Sequence, residues 1–326
     1  MLEPRLERPW GGVVGLLVFL ALAAAAPWFV DGHTLRLAVE VLVMIAMAQA
    51  WNLLAGYTGF VSVGQQAFIG LGAYALFTAA IHGEVDPFVA VLAGGAAAAA
   101  VGALAAPALF RLRGPHFAIG TWVLAELLRI ALTQTAWFGG ASGLTLAREL
   151  RAVPIEQRVN TTYWLALVLA VGTTLALYVL LRSPFGLALR TVRDNEASAQ
   201  SVGVDVARVK LGVFIVAAFV TGCAGAVSYL NTMFVTTGAA FTVEWSALII
   251  FVVVIGGLGT LEGPIVGALI YFALREALAD HGTWYVITLG AVAIAVMLVA
   301  PEGLWGWFAR RTGVRLFATT VRLRRR

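Results

Sequence analysis

A chain of 326 residues that is 61% hydrophobic and only 12% charged, with a mean hydropathy of +0.91, has too few ionisable side chains to cover a water-facing surface. Soluble domains are about 45–50% apolar and about 25% charged, so the composition excludes an ordinary soluble fold and points to lipid. The net charge of +5 is weighted to the tail, where Arg310, Arg311, Arg315, Arg322, Arg324, Arg325 and Arg326 gather. Beside a membrane span such a cluster marks the cytoplasmic side and touches anionic lipid; nucleic acid is not expected as a partner.

A spanning helix needs about 20 apolar residues. In chain order the candidate runs are approximately 11–30, 35–54, 60–81, 87–110, 116–133, 163–181, 211–230, 245–261, 264–279 and 284–300. The expected fold class is all-α, a polytopic membrane protein of about ten transmembrane helices. The third run and the 245–279 pair are Gly-rich, so some helices are expected to be short or broken. Arg5 and Arg8 ahead of the first run look like a secretory leader. Pro27, Trp28 and Phe29 extend that run, however, and a second follows at once, so an uncleaved span is expected.

The positive-inside rule orients the spans. With the N-terminus inside, Arg5, Arg8, Arg111, Arg113, Arg182, Arg190, Arg193, Arg208, Lys210 and the tail arginines are all cytoplasmic, against Arg36, Arg148, Arg151 and Arg158 outside. The expected organisation is a cytoplasmic N-terminus at 1–10, a transmembrane domain at 11–300 and a basic cytoplasmic tail at 301–326. Two polar stretches interrupt the apolar chain. Residues 134–162, with W-F-G-G-A-S-G-L, form an external loop. Residues 182–210 form a cytoplasmic one, in which Pro184 and Gly186 precede good helix formers between Leu187 and Ser201, and Gly203 follows. That punctuation predicts one short surface helix.

Glycines gather in two places about 200 residues apart, which hints at an internal repeat. Gly56, Gly59, Gly64, Gly70 and Gly72 form one group, and Gly256, Gly257, Gly259, Gly263 and Gly267 the other. Gly259, Gly263 and Gly267 have four-residue spacing and are expected to line one helix face, letting backbones approach closely. Paired Gly-interrupted segments also point to a transport path. Polar groups inside spans are costly and are functional suspects by default. Ser62, Gln65 and Gln66 interrupt the first glycine group and suit either a cavity lining or hydrogen bonds between helices. Glu126 and Arg129, three apart, share one helix face and can pair. Glu40 has no obvious partner in its own helix, and Arg275 and Glu276 sit near a span's outer end.

No metal site is expected. The lone Cys223 lies in an apolar run, and His33, His82, His116 and His281 are scattered as rim or packing residues. There is no G-x-x-x-x-G-K-[ST], so this chain has no P-loop for ATP, and no H-E-x-x-H or G-x-S-x-G. No enzyme constellation is apparent, and this chain is expected to bind no cofactor.

Three segments carry a family likeness: G-Y-T-G-F-V-S-V-G-Q-Q-A-F-I-G-L-G-A-Y at 56–74, R-L-R-G-P-H-F-A-I-G-T-W-V-L-A-E-L-L-R at 111–129, and a third stretch. That third stretch begins S-P-F-G-L-A-L-R-T-V-R-D-N-E at 183–196, continues through 202–211 and ends V-V-V-I-G-G-L-G-T-L-E-G-P-I-V-G-A at 252–268. Over residues 35 to 300 the chain resembles the LivM-type permease subunits of branched-chain amino acid ABC importers. The resemblance implies an inner-membrane, multi-pass channel subunit that works with a second permease of the LivH type. Two cytoplasmic ATP-binding subunits would use the ATP, and a periplasmic or extracellular substrate-binding protein would deliver the solute. It also implies that the 182–210 loop is a coupling helix, with Arg190, Arg193, Asp194, Asn195 and Glu196 meeting an ATPase groove and Gly203 closing the motif.

The chain departs from the general importer loop pattern, E-A-A and then Gly: here Glu196, Ala197 and Ser198 are followed by Gly203 one residue late. Gln-Gln at 65–66 stands where relatives have His or Gln before a small residue, which leaves urea, short amides and small organic acids open as substrates. A proton-coupled secondary transporter using Glu126 or Glu40 is the rival of another class.

Overall fold

The computed structural model describes residues 2–4, 23–278, 284–300, 302–312, 317 and 323–325. Residues 11–22 of the first run, His281 and much of the basic tail lie outside the described residues. The fold is almost wholly helical, and its short strands serve only as pins. Leu2–Pro4 (β1) pairs with Leu323–Arg325 (β4), and Leu144–Thr145 (β2) with Phe234–Val235 (β3).

Several helices begin or end where the local chemistry provides a cap. Gly32–Thr58 (α1) starts behind Asp31, whose carboxylate accepts from the backbone N–H of His33 and Thr34, and stops at Gly59 with φ 77°. Gln65–His82 (α2) follows after a non-helical stretch, then Ala90–Leu109 (α3). Pro115–Thr133 (α4) opens with proline in its first turn, where the missing N–H costs nothing. Ile155–Arg182 (α5) leads to two short helices, Pro184–Asp194 (α6) and Glu196–Ser201 (α7). Val206–Thr232 (α8) is capped by Asp205, which accepts from Arg208 N. Thr237–Ala240 (α9), Glu244–Gly256 (α10), Glu262–Ala277 (α11), Trp284–Val299 (α12) and Gly303–Thr312 (α13) complete the order.

The centre is a close-packed trio of α2, α3 and α8, with α1 laid across α5, α8 and the α10–α11 hairpin. Small residues allow this approach. A Cβ on Gly72 would strike the Gly222 carbonyl, and one on Gly225 would strike the Ile69 carbonyl. The outer faces are apolar as well: Trp122, Leu127, Val168 and Val179 are exposed on α4 and α5. Small residues at the closest helix crossings and apolar side chains on the outer faces are the pattern of helices packed in lipid.

Seven helical stretches among the described residues, rather than ten, are long and apolar enough to cross a membrane: Gly32–Thr58, Ala90–Leu109, Pro115–Thr133, Ile155–Arg182, Val206–Thr232, Thr237–Gly256 and Gly290–Thr312. Part of the difference is the first run, most of which lies outside the described residues, and the rest lies where broken helices were expected. The run 60–81 becomes α2, of 18 residues, preceded by the break at 59–64; the 245–279 pair becomes α10 of 13 and α11 of 16 residues. At 1.5 Å per residue α11 reaches about 24 Å, short of a bilayer's apolar thickness of about 30 Å, and α10 is long enough only together with α9, as Thr237–Gly256.

Three boundaries are corrected. The loop expected at 134–162 ends at Pro154, because α5 begins at Ile155 and residues 155–162 are helical. The 182–210 loop holds two helices instead of one: Asn195 is extended (φ −164°) and its side chain caps α7 by accepting from Ser198 N. Gly259 is not on a helix face with Gly263 and Gly267. It occupies the turn between α10 and α11 at φ 75°, a conformation open to glycine without strain.

Candidate functional site

The two glycine-rich segments meet. The last turn of α1 lies against the turn at 257–261 so closely that a Cβ on Gly56 would sit 2.7 Å from Gly259 N. One turn back, Asn52 clamps that turn from both sides: its Nδ2 donates to Thr260 O at 2.7 Å and its Oδ1 accepts from Gly259 N at 2.8 Å. Gln49, another turn back, donates from Nε2 to Leu261 O at 2.7 Å. These bonds give the irregular backbone of the turn the partners that lipid cannot supply.

Beside the clamp runs a belt of buried polar side chains from five helices, α1, α2, α4, α8 and α10, and the 59–64 stretch. Ser62 is held through its carbonyl by Trp51 Nε1 at 2.8 Å, and its Oγ accepts from Gly64 N at 3.3 Å. Gln65 and Gln66, both 0% exposed, open α2. Ser246 on α10 accepts from Gln65 N at 3.0 Å and donates to Gln66 Oε1. Thr221 on α8 donates to Gln65 Oε1 at 3.3 Å. Gly64 is pressed against α4: a Cβ there would strike the Thr121 carbonyl, and Thr121 Oγ1 accepts from Val63 N at 3.2 Å. Within this belt Gln65 Nε2, Gln66 Nε2 and Gln49 Oε1 are buried with no hydrogen-bond partner. Two amide donors and one acceptor thus stand free in the interior, each at a cost of about 1–3 kcal/mol.

The belt gathers Ser62, Gln65 and Gln66, but not Glu126. Glu126 is exposed on α4 and paired with Arg129, Nε to Oε2 at 2.9 Å. Glu40 finds its partner on another helix, Arg275 of α11, at 2.7 Å. Gly263 and Gly267 lie on α11 within the α10–α11 hairpin, where added Cβ atoms would strike the carbonyls of Gly257 and Val252. Gly59 ends α1 and has only Arg193 Cγ, 3.6 Å away, near its Cβ position.

Gln49, Asn52, Thr221 and Ser246 belong to the site although sequence reasoning passed over them. Gln49 and Asn52 carried a legible signal, since polar residues three apart in an apolar helix share a face. Thr221 and Ser246 carried none, because small hydroxyls are common in membrane helices.

In the loop at 182–210, Gly186, Leu189 and Val192 form the buried face of α6, while Arg193, Asp194, Asn195 and Glu196 are exposed and Arg190 is half-buried. Arg193 donates from Nη1 to Gly56 O at 3.0 Å, and Glu196 pairs with Lys210 at 2.7 Å. Gly203 sits at φ 88° with open space around it. At the opposite end of α1, a cavity of about 150 Å³ is lined by Arg36, Phe88, Arg158, Thr162, Leu230 and Asn231 among others. Among the described residues no three His, Cys, Asp or Glu side chains form a metal-ligand set.

A discontinuous helix pair locked by buried amides is the kind of centre that transport proteins build at a helix break. The match of residues 33–301 to the model of the branched-chain amino acid transport system permease component decides its kind. The chain belongs to that family. It is a LivM-type ABC permease and a multi-pass membrane protein. It is 29% identical to the high-affinity branched-chain amino acid transport system permease protein LivM of Escherichia coli (strain K12), over 89% of this chain and 74% of the relative. It is 27% identical to the LivM protein of Salmonella typhimurium, with the same coverage. A shorter match, 29% over 42% of this chain and 44% of the relative, is to the ribose import permease protein RbsC of Haemophilus influenzae. No solved structure matches the chain.

Proposed function

We propose that this LivM-type chain is the translocation-pathway subunit of an importer for branched-chain or other hydrophobic amino acids. It lies in the inner membrane with both termini in the cytoplasm. The observation that carries the reading is the pair of unpartnered amide donors, Gln65 Nε2 and Gln66 Nε2, buried at a helix break. Such donors can replace water around a solute's carboxylate as it passes an apolar interior. Here they are fully enclosed, so the path is closed at this level.

The chain acts with a LivH-type permease, two ATP-binding subunits that hydrolyse ATP on the cytoplasmic side, and an external substrate-binding protein. The α6–α7 loop faces the ATPases. Coverage of 89% by the LivM relatives against 42% by the ribose permease favours amino acids over sugars. The proton-coupled alternative is disfavoured because Glu126 and Glu40 are each in an ion pair and both lie away from the belt.

The test is uptake of radiolabelled leucine by cells expressing the whole transporter. Gln66→Leu is expected to lower uptake about tenfold, the size expected for losing one hydrogen bond to a charged group, while membrane levels stay unchanged. Unchanged leucine uptake in that variant would remove Gln66 from the path, and no leucine uptake by the wild type would remove the substrate class.

A further inference from the structure

We propose that Arg193 is a positioning residue that transmits movement of the α6–α7 loop to the crossing of the two glycine-rich segments, through its hydrogen bond to the Gly56 carbonyl. This rests on the reading of that loop as the ATPase-facing element.

The bond exists because of how α1 ends. In a continuing helix Gly56 O would accept from the N–H of residue 60. Instead Gly59 turns left-handed and Phe60 N bonds back to Leu54 O at 3.0 Å. That leaves Gly56 O at the negative end of a 27-residue helix, and the Arg193 guanidinium takes it at 3.0 Å. A cation donating to a C-terminal carbonyl is favoured by both the hydrogen bond and the helix dipole.

The position of the contact makes it more than a cap. A Cβ on Gly259 would be 3.3 Å from Gly56 O and 3.8 Å from Arg193 Nη1, so guanidinium, α1 carbonyl and α10–α11 turn meet at one point. From there the connections are short and stiff. Asn52 ties α1 to the turn through Gly259 N and Thr260 O, and Gln49 ties it through Leu261 O. The turn is continuous with α10, whose Ser246 holds Gln65 and Gln66. A displacement of α6 that pulls Arg193 therefore acts on both glycine-rich segments at once.

Three of the loop's other cations are engaged elsewhere. Arg182 donates to Tyr178 Oη, Arg208 pairs with Asp205, and Lys210 pairs with Glu196 over the Phe60 ring. Arg193 thus serves inward, toward the membrane domain, as well as lying exposed at the surface.

The experiment uses the assembled transporter in proteoliposomes, with one reporter cysteine at a time. Native Cys223 is buried and gives little background. Leu258→Cys reports the turn, where the side chain is 49% exposed, and Ser201→Cys reports the loop. Maleimide labelling rates are compared without nucleotide and with ATP plus vanadate. Both reporters are expected to shift in the parent. Adding Arg193→Gln is expected to cut the shift at Leu258→Cys about tenfold, a coupling of ordinary size, and to leave the shift at Ser201→Cys. Arg193→Lys, which keeps a cationic donor without the guanidinium's planar fork, is expected to fall between.

A full shift at Leu258→Cys in Arg193→Gln overturns the proposal and leaves the loop reading standing. So does a lowered thermal midpoint with the shift intact, which would make the bond a cap alone. If neither reporter responds in the parent, the loop reading fails and the proposal with it. Should Arg193→Gln not assemble, Arg193→Lys carries the test, and a full shift there overturns the proposal.

Discussion

An ideal Cβ on Gly56 would lie 2.7 Å from Gly259 N and 2.9 Å from Gly259 Cα, and would strike Asn52 Oδ1. Backbone cannot yield as a flexible side chain can, so Gly56→Ala must separate α1 from the turn or break the Asn52 clamp. Overpacking of this kind costs about 1–3 kcal/mol. The thermal midpoint of the detergent-purified protein is expected to fall accordingly. Gly172→Ala is the control: it lies inside α5 with nothing within 4 Å of its Cβ position, so it is expected to be neutral or to add about 0.5–1 kcal/mol. Equal behaviour of the two variants would show that the crossing is loosely packed.

Among the elements, α7 depends strongly on a single side chain. It has six residues, too few to hold a helix by propagation alone, and it is stabilised at its start by Asn195 accepting from Ser198 N at 3.0 Å. Asn195→Ala is expected to remove about 1 kcal/mol of local stability. Amide exchange across Glu196–Ser201 should speed up while α8, capped separately by Asp205, stays protected. Unchanged protection in α7 would assign its stability to Ala199, which is buried against the bundle, rather than to its cap. The α10–α11 hairpin shows the opposite economy. Its two short helices are held by backbone proximity at Gly256, Gly263 and Gly267, and the Thr260 hydroxyl bridges them by accepting from Gly263 N at 3.0 Å and donating to Gly257 O at 2.8 Å.

For the whole molecule the orientation is the next quantity to measure. Ala147 and Ser201 are both exposed, one in the loop before α5 and one at the end of α7. In intact cells Ala147→Cys is expected to react with a membrane-impermeant maleimide, and Ser201→Cys only after permeabilisation. The reverse pattern would place the α6–α7 loop outside and remove it from the ATPases. The exposed Trp122, Leu127, Val168 and Val179 leave α4 and α5 with broad apolar faces for lipid or for a second permease.

By itself the sequence determined the class of molecule. So few charges and so many apolar runs have only lipid as a compatible surrounding, and the absence of nucleotide and metal motifs is local information. The glycine-rich segments and Gln65–Gln66 were legible for the same reason, since a polar or helix-breaking residue in an apolar run stands out one position at a time. The tertiary structure decided everything that needs two distant residues. It paired Glu40 with Arg275, moved Glu126 to the surface, lifted Gly259 off the helix, and recruited Gln49, Asn52, Thr221 and Ser246 to the belt. It also turned Arg193 toward Gly56, 137 positions away. No spacing rule within one helix reaches such a contact, because the partner is fixed by how helices cross and not by where a residue falls along its own.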